Sequence, residues 1–190
     1  MRQAVNLDHA CRLINHGPTV LVSSEHEGRR NVMAAAWSMP VEFMPPRVAV
    51  VIDKSTFTRE LVLASGRFVL NIPCRAIADL TYTVGSTSGR DDDKFARYGI
   101  ESFAGSAQAL PLIEGCVAWL ECRHIPEPHS EQAYDTFFGE VIAAQADARV
   151  FVNGRWAFDD KNAALHTLHH LGGGHFGVIG EVVHGHVKSA

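Results

Sequence analysis

The sequence predicts a mainly β domain with short helices, its antiparallel strands closed or nearly closed into a barrel. Three observations carry that expectation. Runs of β-branched and aromatic residues dominate the first two thirds of the chain. The segments with helical spacing are short and stopped by glycine. No linker or internal repeat divides the 190 residues, so one domain spanning residues 1–190 is expected. A chain of this length can bury about 70% of its unfolded surface.

Thr19–Ser24 and Asn31–Ser38 flank the polar turn Glu27-Gly28-Arg29-Arg30 and read as a hairpin. Arg47–Ile52 and Arg67–Ile72 are further strands. Between them Phe57–Ala64 reads as a short helix, opened by Ser55 or Thr56 and stopped near Gly66. Pro73 suits the first position of a helix over Cys74–Tyr82. Gly85–Asp93 reads as a loop, with Asp91 and Asp92 toward solvent and Asp93 starting the helical turn Lys94–Tyr98, which ends at Gly99. Gly115–His124 and Thr136–Gln145 are long strands joined by Ile125–Tyr134. Asp160–Leu171 places Ala164, Leu165, Leu168 and Leu171 at helical spacing, Gly172–Gly174 ends that helix, and His175–Val183 is the last strand.

Hydrophobic residues make up 46% of the chain and charged residues 20%, with a net charge of −4. That balance, without any Lys/Arg run, argues against a nucleic-acid partner. No apolar stretch approaches the ~18 residues of a membrane helix, and the N-terminus lacks a signal-peptide core, so a cytoplasmic protein is expected. Cys11, Cys74, Cys116 and Cys122 form no C-x-x-C pair and read as buried thiols of a reducing compartment. Cys116 and Cys122 share one face of a predicted strand, too far apart along it to bond. A redox pair with Cys74 or Cys11 stays open on sequence alone.

The chemistry concentrates between Gly28 and Thr58. Asn31 followed by Ala34-Ala35-Ala36-Trp37 suits a strand whose backbone lies close to something flat. The strand beginning at Pro45-Pro46 ends in Asp53-Lys54-Ser55-Thr56-Phe57-Thr58, a helix start that offers free N–H groups and hydroxyls to an anion. Together these segments suit a ligand with a planar ring at one end and a phosphate at the other. A helix dipole alone contributes only ~0.3–1 kcal/mol, so charge-assisted bonds of ~1.5–3 kcal/mol each must add to it. Arg90 and Lys94, at the end of a glycine-containing loop, are the candidates.

These pieces occur in order with Phe68-Val-Leu-Asn71, Ser88-Gly-Arg-Asp-Asp-Asp-Lys94-Phe95, Pro111-Leu-Ile-Glu-Gly115, Glu121-Cys122 and Phe138-Gly-Glu-Val141. From about Pro18 to Glu181 the chain thereby resembles the flavin reductase-like family of FMN-binding split barrels, especially its flavoredoxin-like branch. The resemblance implies a split β-barrel, non-covalent FMN, a homodimer with the FMN site at its interface, and reduction by NAD(P)H or a redox partner protein. It implies a flavin reductase or a flavin-mediated electron-transfer protein, with a non-enzymatic electron carrier as the alternative. Carried over residue by residue, it assigns the ring side to Asn31, Met33, Ala34, Ala35, Ala36, Trp37 and Phe176. It assigns the phosphate to Ser55, Thr56, Phe57, Thr58 and Arg90, and adds Asp53, Asn71, Ser88 and Tyr134 to the cofactor-binding residues. Lys94 is expected either on the phosphate or near the N1/C2 edge of the ring, where a cation favours the reduced anion.

One position departs from the family. A histidine commonly stands about five residues before the glycine of Phe138-Gly-Glu; here it is Tyr134, which cannot offer an imidazolium near neutral pH. His129, nearby, is a substitute. No protein nucleophile or acid–base residue is demanded by flavin chemistry, and no catalytic residue is assigned. The histidines of the last 25 residues support a third reading, a His-rich metal-binding module, because His166 and His170 would share one face of the helix expected there. No acidic general base accompanies them, and structural histidine is the preferred reading.

Overall fold

The computed structural model describes residues 13–14 and 17–188. Cys11 lies outside them. Four strands open the chain: β1 (Val20–His26), β2 (Arg29–Ala35), β3 (Ser38–Phe43) and β4 (Pro46–Val51). Helix α1 (Phe57–Ser65) leads to β5 (Arg67–Ile72), and α2 (Ala78–Ser86) and α3 (Lys94–Tyr98) follow. Next come the short pair β6 (Ser102–Ala104) and β7 (Pro111–Ile113), then β8 (Ala118–Ile125), α4 (Pro128–Tyr134) and the long β9 (Thr136–Ala146). Two small hairpins close the chain, β10 (Phe151–Val152) with β11 (Arg155–Trp156) and β12 (Leu168–Gly172) with β13 (His175–Val178).

Seven strands form one antiparallel sheet in the order β2-β1-β5-β8-β9-β4-β3. Its two edge strands, β2 and β3, are consecutive in the chain, with Ala36 and Trp37 alone between them. Three steps along the chain reach only about 11 Å. The sheet must therefore curl until its edges meet at that point, yet the two edges are not paired along their length. A barrel closed by the covalent chain at one end and open elsewhere is a split barrel.

Alternation along β1 sends Val20 and Val22 into the barrel with Val48, Val50, Phe68, Leu70 and Phe137. The intervening Leu21 points outward and joins Val32, Val84, Phe95 and Ile113 beneath α2 and α3. Both faces of β1 are buried, which is why it reads as an unbroken apolar run. Gly139 on β9 is required by the filling of the barrel. A Cβ there would stand 2.5 Å from the Phe68 ring, so glycine makes room for the largest side chain buried inside.

Glu121, 1% exposed on β8, ties the β6–β7 connection to the sheet. One carboxylate oxygen accepts the Ser106 N–H at 2.8 Å and the Ser106 hydroxyl at 3.0 Å; the other accepts the N–H groups of Ala107 at 3.1 Å and Gln108 at 2.8 Å. Arg59 on α1 similarly joins three elements. It pairs with Asp135 and donates to the carbonyls of Glu131 at 2.6 Å and Ile52 at 3.2 Å, fixing the end of β4 against α4.

Several expectations need correction. Met39–Phe43 is a strand that the sequence reading left out. Pro40 argues against a strand only where its missing N–H would break a ladder, and β3 is an edge strand with a bulge at this residue. Pro73 does not take the first helical position: Cys74 is held extended by a bridge to Thr167, a 3-10 turn follows over Arg75–Ile77, and α2 runs on from Ala78. That helix then runs through Gly85 to Ser86, inside the expected loop. The expected helix over Asp160–Leu171 is a short 3-10 segment, Asp160–Leu165, followed by β12. Leu168 accepts the Thr19 N–H at 2.9 Å, and pairing with the chain start and β13 overrides the helical spacing. Gly172, Gly173 and Gly174, all at positive φ, make the hairpin turn, and the last strand ends at Val178. Cys116 precedes β8, so it does not share that strand with Cys122. Cys74, Cys116 and Cys122 are buried free thiols.

Replacing Glu121 with Gln would turn an amide N–H₂ toward buried N–H donors. It is expected to lower the free energy of unfolding by ~2–4 kcal/mol, read from the urea midpoint at unchanged slope.

Candidate functional site

A groove follows the outer side of β2. β2 is an edge strand, so alternate residues present their N–H and C=O away from β1. Val32 is one of these, its carbonyl accepting the Lys94 ammonium at 2.9 Å. By the two-residue alternation the backbone polar groups of Ala34 point the same way. Helix α2 packs across this edge at close range. A Cβ on Gly85 would lie 2.9 Å from the Ala34 Cβ, so each of the two residues must be small for the other's sake.

The groove has a wide first compartment of about 350 Å³. The barrel contributes Thr19, Met33, Ala34, Ala35, Ala36, Trp37, Val51 and Asp53. Across from them stand Thr81, Tyr82, Gly85 and Ser86 of α2 and His170 and Phe176 of the β12–β13 hairpin. The imidazole of His170 and the ring of Phe176 are 5.6 Å apart. The Thr19 hydroxyl is buried here without a hydrogen-bond partner.

The second compartment, of about 240 Å³, shares Met33, Gly85 and Ser86 with the first and is otherwise more polar. Its walls are Asn31, Ser55, Thr56 and Phe57 on one side and Val84, Thr87, Ser88, Gly89 and Lys94 on the other. The Ser55 turn is held from within. Asp53 accepts the Ser55 hydroxyl at 2.6 Å and the Ser55 N–H at 2.8 Å, and these bonds hold its carboxyl below the usual carboxylate range. Thr56 is the N-cap of α1, but its hydroxyl donates back to the Asp53 carbonyl at 2.7 Å and makes no side-chain cap. The first-turn N–H groups of α1 are thus left without a capping side chain.

Lys94 is 2% exposed, not the surface lysine its place in a helical turn would suggest. Its ammonium donates to Val32 O at 2.9 Å and Val84 O at 2.8 Å, which leaves one of three N–H bonds for the compartment it lines. Burial pulls its pKa down to about 8. Asn31, 2% exposed, donates to the Thr58 hydroxyl at 2.9 Å; its carbonyl oxygen is buried without a partner and faces Gly89. A Cβ at Gly89 would fall 2.0 Å from that oxygen.

The structure therefore gathers most of the expected residues along one groove. Met33, Ala34, Ala35, Ala36, Trp37, Asp53 and Phe176 line the first compartment, and Asn31, Met33, Ser55, Thr56, Phe57, Ser88 and Lys94 the second. Lys94 lies with the hydroxyls and not in the first compartment. Thr58 stands behind, fully buried, and orients Asn31. Arg90 sits just beyond, paired with Glu60 and donating to Ser55 O at 3.2 Å.

Thr58 and Arg90 therefore line neither compartment, and Asn71 and Tyr134 depart further from expectation. Asn71 is buried in the sheet: its amide donates to Leu21 O at 2.8 Å and Ser23 Oγ at 3.0 Å and accepts the Ile113 N–H at 2.8 Å, so it locks β1, β5 and β7 together. Tyr134 is 66% exposed against His129 and lines none of these compartments. The metal reading loses its geometry. His166 follows the 3-10 segment, bonded to the carbonyl oxygens of Ile179 and Asp159, while His170 lies on β12.

Thr19, Thr81, Tyr82, Gly85, Ser86 and His170 were missed. The α2 residues follow the i, i+1, i+4, i+5 spacing of one helix face, a signal hidden by ending that helix at Tyr82.

With this geometry in view, comparisons with known proteins point one way. Residues 12–163 match the family model described as flavin reductase like domain. The chain is similar to the uncharacterized protein YddH of Escherichia coli K12, 58% identical over 182 residues and covering 94% of this chain and 95% of that one. It is similar to the crystal structure of an FMN-binding domain of a flavin reductases-like enzyme from Shewanella baltica OS155 (48% identity, TM-score 0.86, 96% of each chain). Flavoredoxin of Desulfovibrio vulgaris shares the fold at 24% identity and TM-score 0.77, over 89% of this chain and 90% of that one.

Asn71→Ala should unfold more readily by ~2–4 kcal/mol, because the Ile113 N–H loses its acceptor in a closed interior. Denaturant titration measures the loss. Ligand affinity in the groove should be unchanged, since Asn71 lines neither compartment.

Proposed function

The chain belongs to the flavin reductase-like domain family, and on that premise we propose that residues 1–190 form one FMN-binding unit that carries electrons from NAD(P)H to an acceptor. The observation that carries this reading is the pairing of compartments along β2. One is walled by alanines and aromatic rings, and the adjoining one by hydroxyls, an uncapped helix start and a buried ammonium. The residues present fit FMN on two further counts. Ala34, at the strand edge, leaves backbone donors and acceptors open to the polar rim of a planar ring. Thr19 and Asn31 each hold a buried oxygen without a partner beside the groove.

Bound in the groove, FMN would supply the hydride and one-electron chemistry that no side chain here provides. Ala34, Ala35 and Ala36 let the ring edge approach the backbone; Trp37 and Phe176 wall it. Ser55, Thr56 and the first-turn N–H groups of α1 receive the phosphate, with Lys94 adding the nearest full positive charge. Arg90 acts from behind, holding the Ser55 turn and the Ser88 loop together through the Ser55 carbonyl. Asp91 and Asp92 are exposed and Asp93 caps α3 by accepting the Phe95 N–H at 2.8 Å, so none opposes the phosphate from within the second compartment.

The same reading includes a homodimer. Trp37 (51% exposed), Met39 (61%), Phe43 (94%) and Met44 (83%) form an apolar run along and beside the edge strand β3. An apolar hollow of about 460 Å³ beneath this run shares Ala36, Trp37 and Val51 with the first compartment. A second copy covering the run would complete the wall of the ring site. Such a surface on an unpaired edge otherwise invites aggregation. No described helix is long and apolar enough to cross a membrane. We place the protein in the cytoplasm, with neither membrane nor nucleic acid as partner and with a redox protein as one acceptor.

The visible spectrum of the purified protein, followed by anaerobic titration with NADH and NADPH, tests this function. A yellow protein bleached by either nucleotide is expected. Bleaching only by a reduced partner protein would make it a carrier, and a colourless protein that takes up no FMN would overturn the reading.

Two results are expected from its residues. Lys94 must be an ammonium to hold phosphate, and its pKa in the free protein is about 8. FMN affinity should be flat below that pH and fall as pH rises through it. Riboflavin, lacking the phosphate, should show no such fall, and Lys94→Met should abolish it; fluorescence titrations from pH 6.5 to about 9.5 read all three. Phe43→Glu, placing a charge on the exposed run, should convert a dimer to a monomer in sedimentation and weaken FMN binding with it.

A further inference from the structure

The wall that faces β2 across the first compartment is built from two elements of separate origin. Helix α2 supplies Thr81, Tyr82, Gly85 and Ser86, and the β12–β13 hairpin supplies His170 and Phe176. These last two residues are opposite one another in the hairpin, so both rings leave the same face of it, toward the groove. The hairpin is a small sheet of its own, and none of its residues belongs to the four apolar clusters of the core.

Its two strands are held very differently. β12 is tied down from its start: the Leu168 carbonyl accepts the Thr19 N–H at 2.9 Å, His169 bridges to Pro18, and Thr167 just before the strand bridges to Cys74. β13, which carries Phe176, has no such anchorage. Among the described residues, one hydrogen bond joins β13 or the residue next after it to anything but β12. His166 Nδ1 donates it to the Ile179 carbonyl at 2.8 Å. At the other end the hairpin turn only touches α2, where a Cβ on Gly174 would stand 3.2 Å from the Tyr82 ring.

His166 is itself firmly placed. Its backbone carbonyl accepts the Arg75 N–H at 2.9 Å, at the turn that leads into α2. The residue is 8% exposed, and its ring leans on Phe158 with 5.0 Å between centroids. Nε2 stands 3.0 Å from the Asp159 carbonyl and 3.1 Å from Asn162 Oδ1. Asn162 is fixed in turn, its amide donating to the Arg149 carbonyl at 3.1 Å and the Ala157 carbonyl at 2.8 Å. The imidazole cannot rotate without losing contacts on both edges. One residue therefore refers both parts of the wall to a single point, α2 through its main chain and β13 through its ring.

We propose that His166 is a positioning residue for the ring compartment and acts through Phe176. By holding the exit of β13, its Nδ1–H keeps Phe176 at the compartment wall and sets the distance between hairpin and β2. The proposal rests on reading the first compartment as the flavin-ring site. His166 lines neither compartment and touches no ligand there.

A double-mutant cycle on flavin affinity tests it. Riboflavin and FMN are titrated by fluorescence into the full chain, freed of flavin, as wild type, His166→Phe, Phe176→Ala and the double variant. His166→Phe keeps a ring against Phe158 and removes the N–H. Riboflavin and FMN should weaken together by about three- to tenfold, the share of one hydrogen bond. The fall of FMN affinity as pH rises through about 8, which belongs to Lys94, should keep its position. In the Phe176→Ala background the same substitution should change affinity by less than about twofold. His166→Gln, whose amide can still donate to Ile179, should lie between wild type and His166→Phe, and it carries the same cycle if His166→Phe does not fold. Hydrogen exchange should quicken in β13 and not in β5.

Additive losses in the cycle would overturn the proposal. So would a His166→Phe protein that is less stable to urea but binds riboflavin like wild type, since His166 would then be structural only. Asn71→Ala is the control for general loss of stability; an equal weakening of riboflavin there would overturn the proposal as well. Wild type that takes up no flavin would instead remove the premise, and the proposal with it.

Discussion

The two-residue passage from β2 to β3 governs the rest of this architecture. It joins the opposite edges of a seven-stranded sheet, so the sheet has to curl, and because the edges then diverge both strands keep one unpaired side. Those unpaired sides meet different fates. On β2 the open backbone faces α2 and α3, takes the Lys94 ammonium at Val32, and floors the groove. On β3 it faces outward with Met39, Val41 and Phe43 exposed. An edge strand is usually a hazard to be blunted; here one edge becomes the proposed flavin site and the other the proposed dimer surface.

Small residues set how near the second layer can come to that floor. Gly85 against Ala34, and Gly89 against Asn31, are close approaches that a side chain would prevent. The alanine run therefore serves two uses: tight packing against α2 at Ala34 and an accessible backbone beside the groove.

Electrostatics follow a related economy. Most carboxylates close to the groove, Asp91 excepted, are occupied with backbone N–H groups or arginines: Asp53 with Ser55, Asp93 with Phe95, Glu60 with Arg90 and Asp92 with Arg97. The cations are less fully committed, since Lys94 rests on two neutral carbonyls and Arg29 and Arg30 on aromatic faces. The groove thus favours anions although the chain carries a net charge of −4. Bulk charge says little about a local field built from such short-range pairings.

Local chemistry was legible without coordinates. The Glu27-Gly28 hairpin, the αL glycines that stop α1 and α3, the Asp93 cap and the apolar runs of β1, β4 and β5 depend on neighbours within a few residues, where sterics and capping decide. The groove-lining segments Asn31–Trp37 and Asp53–Phe57 were legible for the same reason, because donors, hydroxyls and small residues follow one another along the chain. What depended on distant partners was not. Whether Pro40 sits in a strand turns on an edge position, whether Cys74 is extended or already helical turns on Thr167, and whether Leu168 is helical turns on Thr19. Asn71 and Lys94 carry side chains that suit a ligand equally well, yet burial gave the first to three strands and left the second a single free N–H. Residue type determines what a side chain can bond, whereas only the packed structure determines which partners remain within reach.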